Sequence, residues 1–343
     1  MSLNRERLVE LCLLPGVSGR EDAVRDYIRS AVAPTGYPCR EDNLGNLLVE
    51  VKGAKTPDKK IVLSAHMDEV GFIITGIDED GTLRFTNVGG IMPAVASGRA
   101  VFVGDGAVPG VIGAKPIHLL GADEKEKYTP LEDMRIDIGA ADKAQAEKLA
   151  APGDRVVFWS VCREMGEGAF CVKAIDDRAG CALLLELILG ETLPHDCTFI
   201  FTTQEESGCV GARGAAFQVA ADIAIAVEGT TAGDMTDTPD HKKVCRMGGG
   251  PVVSYMDKGT VYDAALYRQA VEEAQAAGIP WQTKELVAGG NESRSYQQTG
   301  AGSRVLAVSM PVRYLHSATS VASWQDAENT LALLRRLVGR CWE

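Results

Sequence analysis

Four short apolar runs constrain this 343-residue chain more than any other feature: Ile61 to Ala65, Phe199 to Thr203, Ile223 to Val227 and Val305 to Ser309. Each is of strand length and lacks a polar–apolar alternation, so each reads as a strand buried on both faces. Helix-patterned segments lie among them. Cys181, Leu184, Leu185 and Ile188 mark one face of a helix from about Arg178 to Leu189, and another helix spans Asp263 to Ala277 and stops at Gly278. A last helix starts near Trp324 with Ser323 as its N-cap and Leu331, Leu334, Leu337 and Val338 inside. Such alternation predicts an α/β domain whose mixed, largely parallel sheet is flanked by helices.

Earlier in the chain, Ser18-Gly19-Arg20-Glu21 has the spacing of a capping box ahead of an apolar face of Val24, Tyr27, Ile28, Ala31 and Val32. Leu47 to Val51 and Trp281 to Leu286 read as further strands. Between Gly71 and Trp159 the texture changes. Phe72-Ile73-Ile74 and Thr82 to Phe85 flank the turn Asp78-Glu79-Asp80-Gly81, and short strands follow at Ala100 to Val103, Val108 to Ile112 and Arg155 to Phe158. Part of the α/β pattern precedes this β-rich stretch. The expected organisation is therefore a module of residues 71–160 inserted into a discontinuous domain of residues 1–70 and 161–343, in a chain longer than the roughly 250–300 residues at which one core stops growing.

The 47 acidic residues outnumber the 35 Lys and Arg, giving a formal charge of −12. That balance argues against nucleic acid and against an anionic membrane, and it fits cationic ligands, metal ions above all. Glu6 and Glu10 interrupt the first apolar stretch, so it lacks a signal-peptide core, and Glu186 breaks the most apolar helix. The nine cysteines, Cys341 included, form no C-x-x-C pair and read as buried thiols of a reducing compartment, which places the protein in the cytoplasm.

The residues at the end of each apolar run are chemically selective. The first run leads into His66-Met67-Asp68, the second into Gln204-Glu205-Glu206, the third into Glu228, and the fourth through Arg313 to His316. In open α/β sheets ligands bind beyond the carboxyl ends of strands, and His with carboxylates suits a zinc-like or cobalt-like ion. His66 and Asp68 share a face, so Asp68 can accept the second ring N–H of a ligating His66; a buried His–carboxylate pair explains the same spacing. The neighbours Glu205 and Glu206 should diverge, one toward a metal and one standing off as a base, unless they form a solvated acidic loop. Asp176 and Asp177 precede a helix, where ordinary capping competes with a metal-bridging role. His118, His195 and His241 read as surface residues, and Cys209 as a buried thiol rather than a nucleophile. Gly248-Gly249-Gly250 and Gly289-Gly290 lack the Lys-Ser/Thr of a phosphate loop.

Taken in order, Pro15 to Gly19, Asp42 to Asn46, His66 to Phe72, Ala174 to Arg178, Gln204 to Glu206, Glu228 and Arg313 to Ser317 closely resemble the M42 family of metallo-aminopeptidases across nearly the whole chain. The resemblance implies a zinc-exopeptidase-like catalytic domain interrupted by a β-rich dimerisation domain, acting on short peptides and assembling into a dimer-based large homo-oligomer, a dodecamer in some members. It also implies two divalent ions, zinc or cobalt with manganese as an option. His66 and Glu228 would hold one, His316 and Glu206 the other, and Asp176 would bridge them through a segment whose Asp176–Asp177 peptide is cis. Glu205 would be the general base and Asp68 would orient His66. Three ligand carboxylates against four positive charges leave a net +1 for a hydroxide to neutralise, and paired ions lower the pKa of a shared water.

This chain also departs from the family pattern. Glu228 stands where many members have Asp, Asn291-Glu292-Ser293 where Thr-Asp-Ala is common, and Ile91-Met92 where Trp-Asp is usual. Other readings of the same ligands are a di-metal deacylase of N-acyl amino acids, a glycoside hydrolase, and an inactive metal-binding structural protein. A glycosidase needs two carboxyls about 5–9.5 Å apart and leaves the histidines without a task. A purely structural site has no need for Glu205.

Overall fold

The computed structural model describes residues 2–119, 121, 127–340 and 342. Among the described residues, eight strands form the main sheet, in the spatial order Cys39–Glu41, Leu47–Val51, Cys197–Thr202, Ile61–His66, Ile223–Thr231, Arg304–Val312, Val252–Val253 and Gln282–Thr283. The central four strands, from Cys197–Thr202 to Arg304–Val312, run parallel, and antiparallel partners flank them on both sides. These four are the apolar runs, and burial on both faces is why they carry no alternation. Leu63, Ile225, Leu306 and Val308 pack into one core with the helices Ile175–Ile188, Ala264–Ala276 and Trp324–Val338. Their neighbours Val62, Ala224, Val305 and Ala307 point the other way, onto Ala212, Ala215 and Val219 of the helix Val210–Val219.

Helix starts follow side-chain chemistry. Ser323 accepts the backbone N–H groups of Gln325 and Asp326, and Asp263 accepts those of Ala265 and Leu266. The capping box at Ser18 does not form. The helix runs Asp22–Val32 without a side-chain cap, because Ser18 donates to Asp68 at 2.6 Å and Glu21 accepts from Gly19 and from Gln204 instead. The strand expected from Trp281 shrinks to Gln282–Thr283, since only those residues find a partner in Val252–Val253. An N-terminal helix, Arg5–Leu13, precedes all of this and carried little apolar periodicity to announce it.

From Gly71 the chain builds a closed antiparallel barrel of Gly71–Ile77, Leu83–Val88, Arg135–Asp137, Val108–Gly113, Ala100–Val103 and Arg155–Phe158. Its core is separate from that of the sheet and centres on Phe72, which meets Phe85 and Phe158 edge-on at 5.1 and 5.3 Å. A small three-stranded sheet follows, Arg163–Met165, Ala169–Val172 and Ser320–Ser323. The eight described cysteines are free thiols, buried or half-buried; Cys341 lies outside the described residues. His118 and His241 are exposed. His195 is buried, contrary to its reading as a surface residue, and its backbone pairs with Lys55 in the connection just before the strand Cys197–Thr202.

Candidate active site

Parallel pairing fixes where the chemistry collects. Ile61 lies beside Ile223 and Ser64 beside Ala226, so the same register brings His66 level with Glu228. Thr202 pairs with His66, and the turn after it carries Glu205 and Glu206; Glu228 pairs with Ser309, and the chain beyond that strand returns His316. His66, Asp176, Glu205, Glu206, Glu228 and His316 all line one cavity of about 230 Å³. A larger cavity of about 480 Å³ lies where the barrel meets the N-terminal helices, but its walls, Leu13, Val17, Phe102 and Phe158 among them, hold no comparable cluster of ligand types.

Asp176 stands between the two histidines. Its Oδ1 is 3.5 Å from Nε2 of His66 and its Oδ2 is 3.8 Å from Nε2 of His316. The Asp176–Asp177 peptide is cis, and Gly229 donates to Oδ1 of Asp176 at 3.3 Å from a position where a Cβ would lie 2.8 Å from that oxygen. Glu228 reaches to 3.8 Å from Nε2 of His66, and Glu206 to 3.3 Å from Nε2 of His316.

Both rings are oriented by their far nitrogen. Nδ1 of His66 lies 3.1 Å from the carbonyl oxygen of Asp68 and 3.3 Å from its carboxylate, and Nδ1 of His316 lies 2.9 Å from the carbonyl of Gly90. A carbonyl can only accept, so each Nδ1 carries a proton and each Nε2 faces the cavity, where its lone pair is open to a cation that displaces the Nε2 proton. Gly90 follows the barrel strand Leu83–Val88, so the barrel supplies part of the site's support.

Without a compensating cation this cluster is electrostatically costly. Burial pushes the carboxyl of Glu205 up to about 8, with the charges of Glu206 and Asp68 adding to the effect. Burial likewise raises Glu206 and carries Glu228 well above the carboxylate range. The bond to Glu206 raises His316 to about 9. Burial alone would depress His66, but Asp176 and Asp68 carry it well above its usual value. Convergent lone pairs on imidazole and carboxylate, sharing one buried cavity and needing positive charge, fit divalent ions of the zinc type.

Among the described residues, two groups of three place ligand atoms within 4.8 Å of one another: His66, Asp176 and Glu206, and His66, Asp177 and Glu228. Asp177 is the unexpected member. Its oxygens already accept the N–H of His66 at 3.2 Å and of Gly180 at 3.0 Å, which makes it the cap of the regular helix and a brace for the strand end.

Glu205 and Glu206 diverge as their adjacency requires. Glu206 faces His316, whereas Glu205 accepts from the thiol of Cys209 at 3.2 Å. That carboxylate and burial both hold the thiol protonated, so Cys209 is no nucleophile. The departure at Asn291-Glu292-Ser293 also resolves. Glu292 is fully buried, accepts the hydroxyls of Ser64 and Thr202 from two parallel strands, and points its backbone N–H at Glu228, 3.5 Å away. Sequence reasoning flagged this segment only as a deviation. It missed Ser18 and Glu21 by reading them as a helix cap, and missed Gly90 because nothing local marks it.

Residues 45–333 match the family model described as M42 glutamyl aminopeptidase. A putative aminopeptidase of Acetivibrio thermocellus is 36% identical over 93% of each chain, and a lysyl aminopeptidase of Pyrococcus furiosus is 30% identical over 94% of this chain and 93% of its own. The TET1 peptidase of Pyrococcus horikoshii, described as able to assemble into a tetrahedron or a large octahedral shell, superposes with a TM-score of 0.87 at 32% identity, over 97% of this chain and 98% of that one.

Proposed function

This chain belongs to the M42 aminopeptidase family, a family of metal-dependent hydrolases, and from that premise we propose that it removes N-terminal residues from short peptides with two divalent ions and Glu205 as general base. The observation that carries the reading is the position of Asp176, with one oxygen toward each histidine. In this reading His66 and Glu228 hold one ion, His316 and Glu206 the other, and Asp176 both; zinc or cobalt suits the donor set, with manganese as an alternative. The ions would supply a water of lowered pKa and positive charge for the developing oxyanion.

The remaining work falls to side chains of the chain itself. Glu205 lines the cavity and, among the described residues, forms no ion pair with either histidine, and a carboxyl raised by burial is suited to take a proton from water and return it to the leaving amine. Asp68 holds the ring of His66 and the turn of both glutamates at once. Residues 1–70 and 161–343 are proposed as the catalytic unit and residues 71–160 as the inserted unit through which subunits pair into a larger homo-oligomer.

Metal analysis of the purified protein, with hydrolysis of aminoacyl anilides before and after chelation, tests the reading. Two ions per chain and activity lost on chelation and in Glu205→Gln are expected. Full activity in the metal-free protein or in that variant rejects the mechanism, and a preference for N-acetylated substrates replaces the aminopeptidase with a deacylase.

A further inference from the structure

Resting on the aminopeptidase reading, we propose that Lys284 binds the side-chain carboxylate of the substrate's N-terminal residue, so that the cavity selects peptides beginning with glutamate or aspartate. Family membership leaves this open, since the family model is described as glutamyl and one relative as lysyl.

Lys284 follows the edge strand Gln282–Thr283 and is 7% exposed, yet it lines the cavity that holds His66, Glu206 and Glu228. It is the one Lys or Arg among the described residues of that lining. Its ammonium makes a single hydrogen bond among the described residues, to the carbonyl of Ala288 at 2.8 Å, although it carries three donors. The charge that acts on it most, Asp257, is already engaged: its oxygens accept from the backbone of Gly259 and Thr260 at 2.7 Å each and from the hydroxyl of Tyr262 at 2.5 Å. Nearby wall is contributed by Val244, tied by its carbonyl to Glu285, and by Ala288, Gly289 and Gly290, none of which has a polar side chain. A buried ammonium with unused donors and no carboxylate in contact is costly, and an entering carboxylate relieves that cost through charge-assisted bonds in a water-poor site.

Charge also decides what else can enter. Asp176, Glu205, Glu206 and Glu228 make the rest of the cavity acidic, so an acidic side chain is admitted only where Lys284 receives it. A lysine or arginine side chain meets a like charge there. The cavity, at about 230 Å³, is smaller than a typical ligand site, which suits one residue and the bond to be cut.

The test uses the full chain loaded with zinc or cobalt, as wild type, Lys284→Met and Lys284→Arg. Rates are measured on glutamyl, aspartyl, leucyl and lysyl anilides, and L-glutamate and L-leucine binding is followed by calorimetry. The wild type should favour the glutamyl over the leucyl anilide at least about tenfold in kcat/KM, and Lys284→Met should erase at least about tenfold of that ratio, the scale of a charged hydrogen bond. Lys284→Arg should restore most of it, and L-glutamate binding should weaken in parallel with the ratio. If Lys284→Met does not fold, the wild-type ratio and the Arg variant decide. A wild type that prefers leucyl or lysyl anilides, or a ratio that Lys284→Met leaves unchanged, overturns the proposal. The dipeptide Ala-Ala and its C-terminal amide are assayed beside the anilides, and a loss in Lys284→Met confined to Ala-Ala also overturns the proposal, because it would assign the ammonium to the peptide's own terminus. Lys284-dependent glutamate binding without cleavage of any anilide would keep this assignment and discard the aminopeptidase reading.

Discussion

Asp68 accepts the backbone N–H of Glu205 on its Oδ1 at 2.9 Å. Its other oxygen takes the N–H of Glu206 at 3.1 Å and the hydroxyl of Ser18 at 2.6 Å, while Nδ1 of His66 lies 3.3 Å from Oδ1. One fully buried carboxylate thus fixes the orientation of a candidate ligand, the turn that presents the two glutamates to the cavity, and the N-terminal loop. Burial would raise its pKa, but His66, Ser18 and the backbone of Glu205 bring it below the usual value.

Asp68→Asn keeps one acceptor and turns an amide toward donors that are already N–H and O–H groups. It should weaken metal binding about 10–100-fold, the range seen when the partner of a ligating His is removed. Competition with a chromophoric chelator measures this directly. A variant that retains metal and rate would show that the rings are held by other contacts.

Glu205→Gln should leave metal content and folding intact and lower kcat about 10²–10⁴-fold, as expected for loss of a general base. The amide still accepts the thiol of Cys209, and removing a buried charge does not penalise the fold. Metal analysis, melting curves and steady-state rates on one preparation separate this outcome from loss of the site.

Glu21 supplies a pH dependence unconnected with any ion. Burial raises its carboxyl to about 7, with the charge of Asp68 adding to it and the N–H groups of Gly19 and Gln204 opposing it. Above the unfolded value of about 4.5 the unfolded chain releases this proton while the folded chain keeps it, so the contribution to stability falls as pH rises to about 7 and is constant beyond. The full effect is roughly 3 kcal/mol as an upper bound. Glu21→Gln retains an Oε1 acceptor for both N–H groups, and the stability difference between it and the wild type should grow across that window. Urea unfolding of the metal-free protein at pH 5 and pH 7.5 provides the measurement. A constant difference would mean that Glu21 ionises normally.

The legible parts of this fold are those in which one physical requirement writes itself into neighbouring residues. Strands buried on both faces must be continuously apolar, so Ile61 to Ala65 and Ile223 to Val227 could be read directly, and polar residues at their ends marked the site. Contacts made across the sheet left no such trace. Glu292 meets hydroxyls from two strands that lie 228 and 90 residues away in sequence, and no local pattern distinguishes it from a loop acid. Ser18 and Glu21 show the opposite failure. Their spacing satisfied a local rule, but Asp68 and the backbone of Gln204 offered buried partners that a helix end could not match.

The barrel's part in the site is equally invisible in sequence, and it can be tested at Gly89. This residue has φ of +80°, where only glycine is unstrained, and a Cβ there would lie 2.8 Å from Cγ1 of Val70 and 3.3 Å from Cβ of Glu206. Its successor, Gly90, provides the carbonyl that takes the Nδ1 proton of His316. Gly89→Ala should therefore cost about 1–2 kcal/mol of stability and shift a loop that reaches both Glu206 and His316. The site built on His66 and Glu228 has no contact with Gly89 among these, so the loss of metal should be unequal. About one ion per chain should remain tightly held while the second becomes easily removed by chelator. Loss of both ions together would mean that the two positions are coupled through Asp176, and an unchanged stoichiometry would show that His316 keeps its orientation without the barrel.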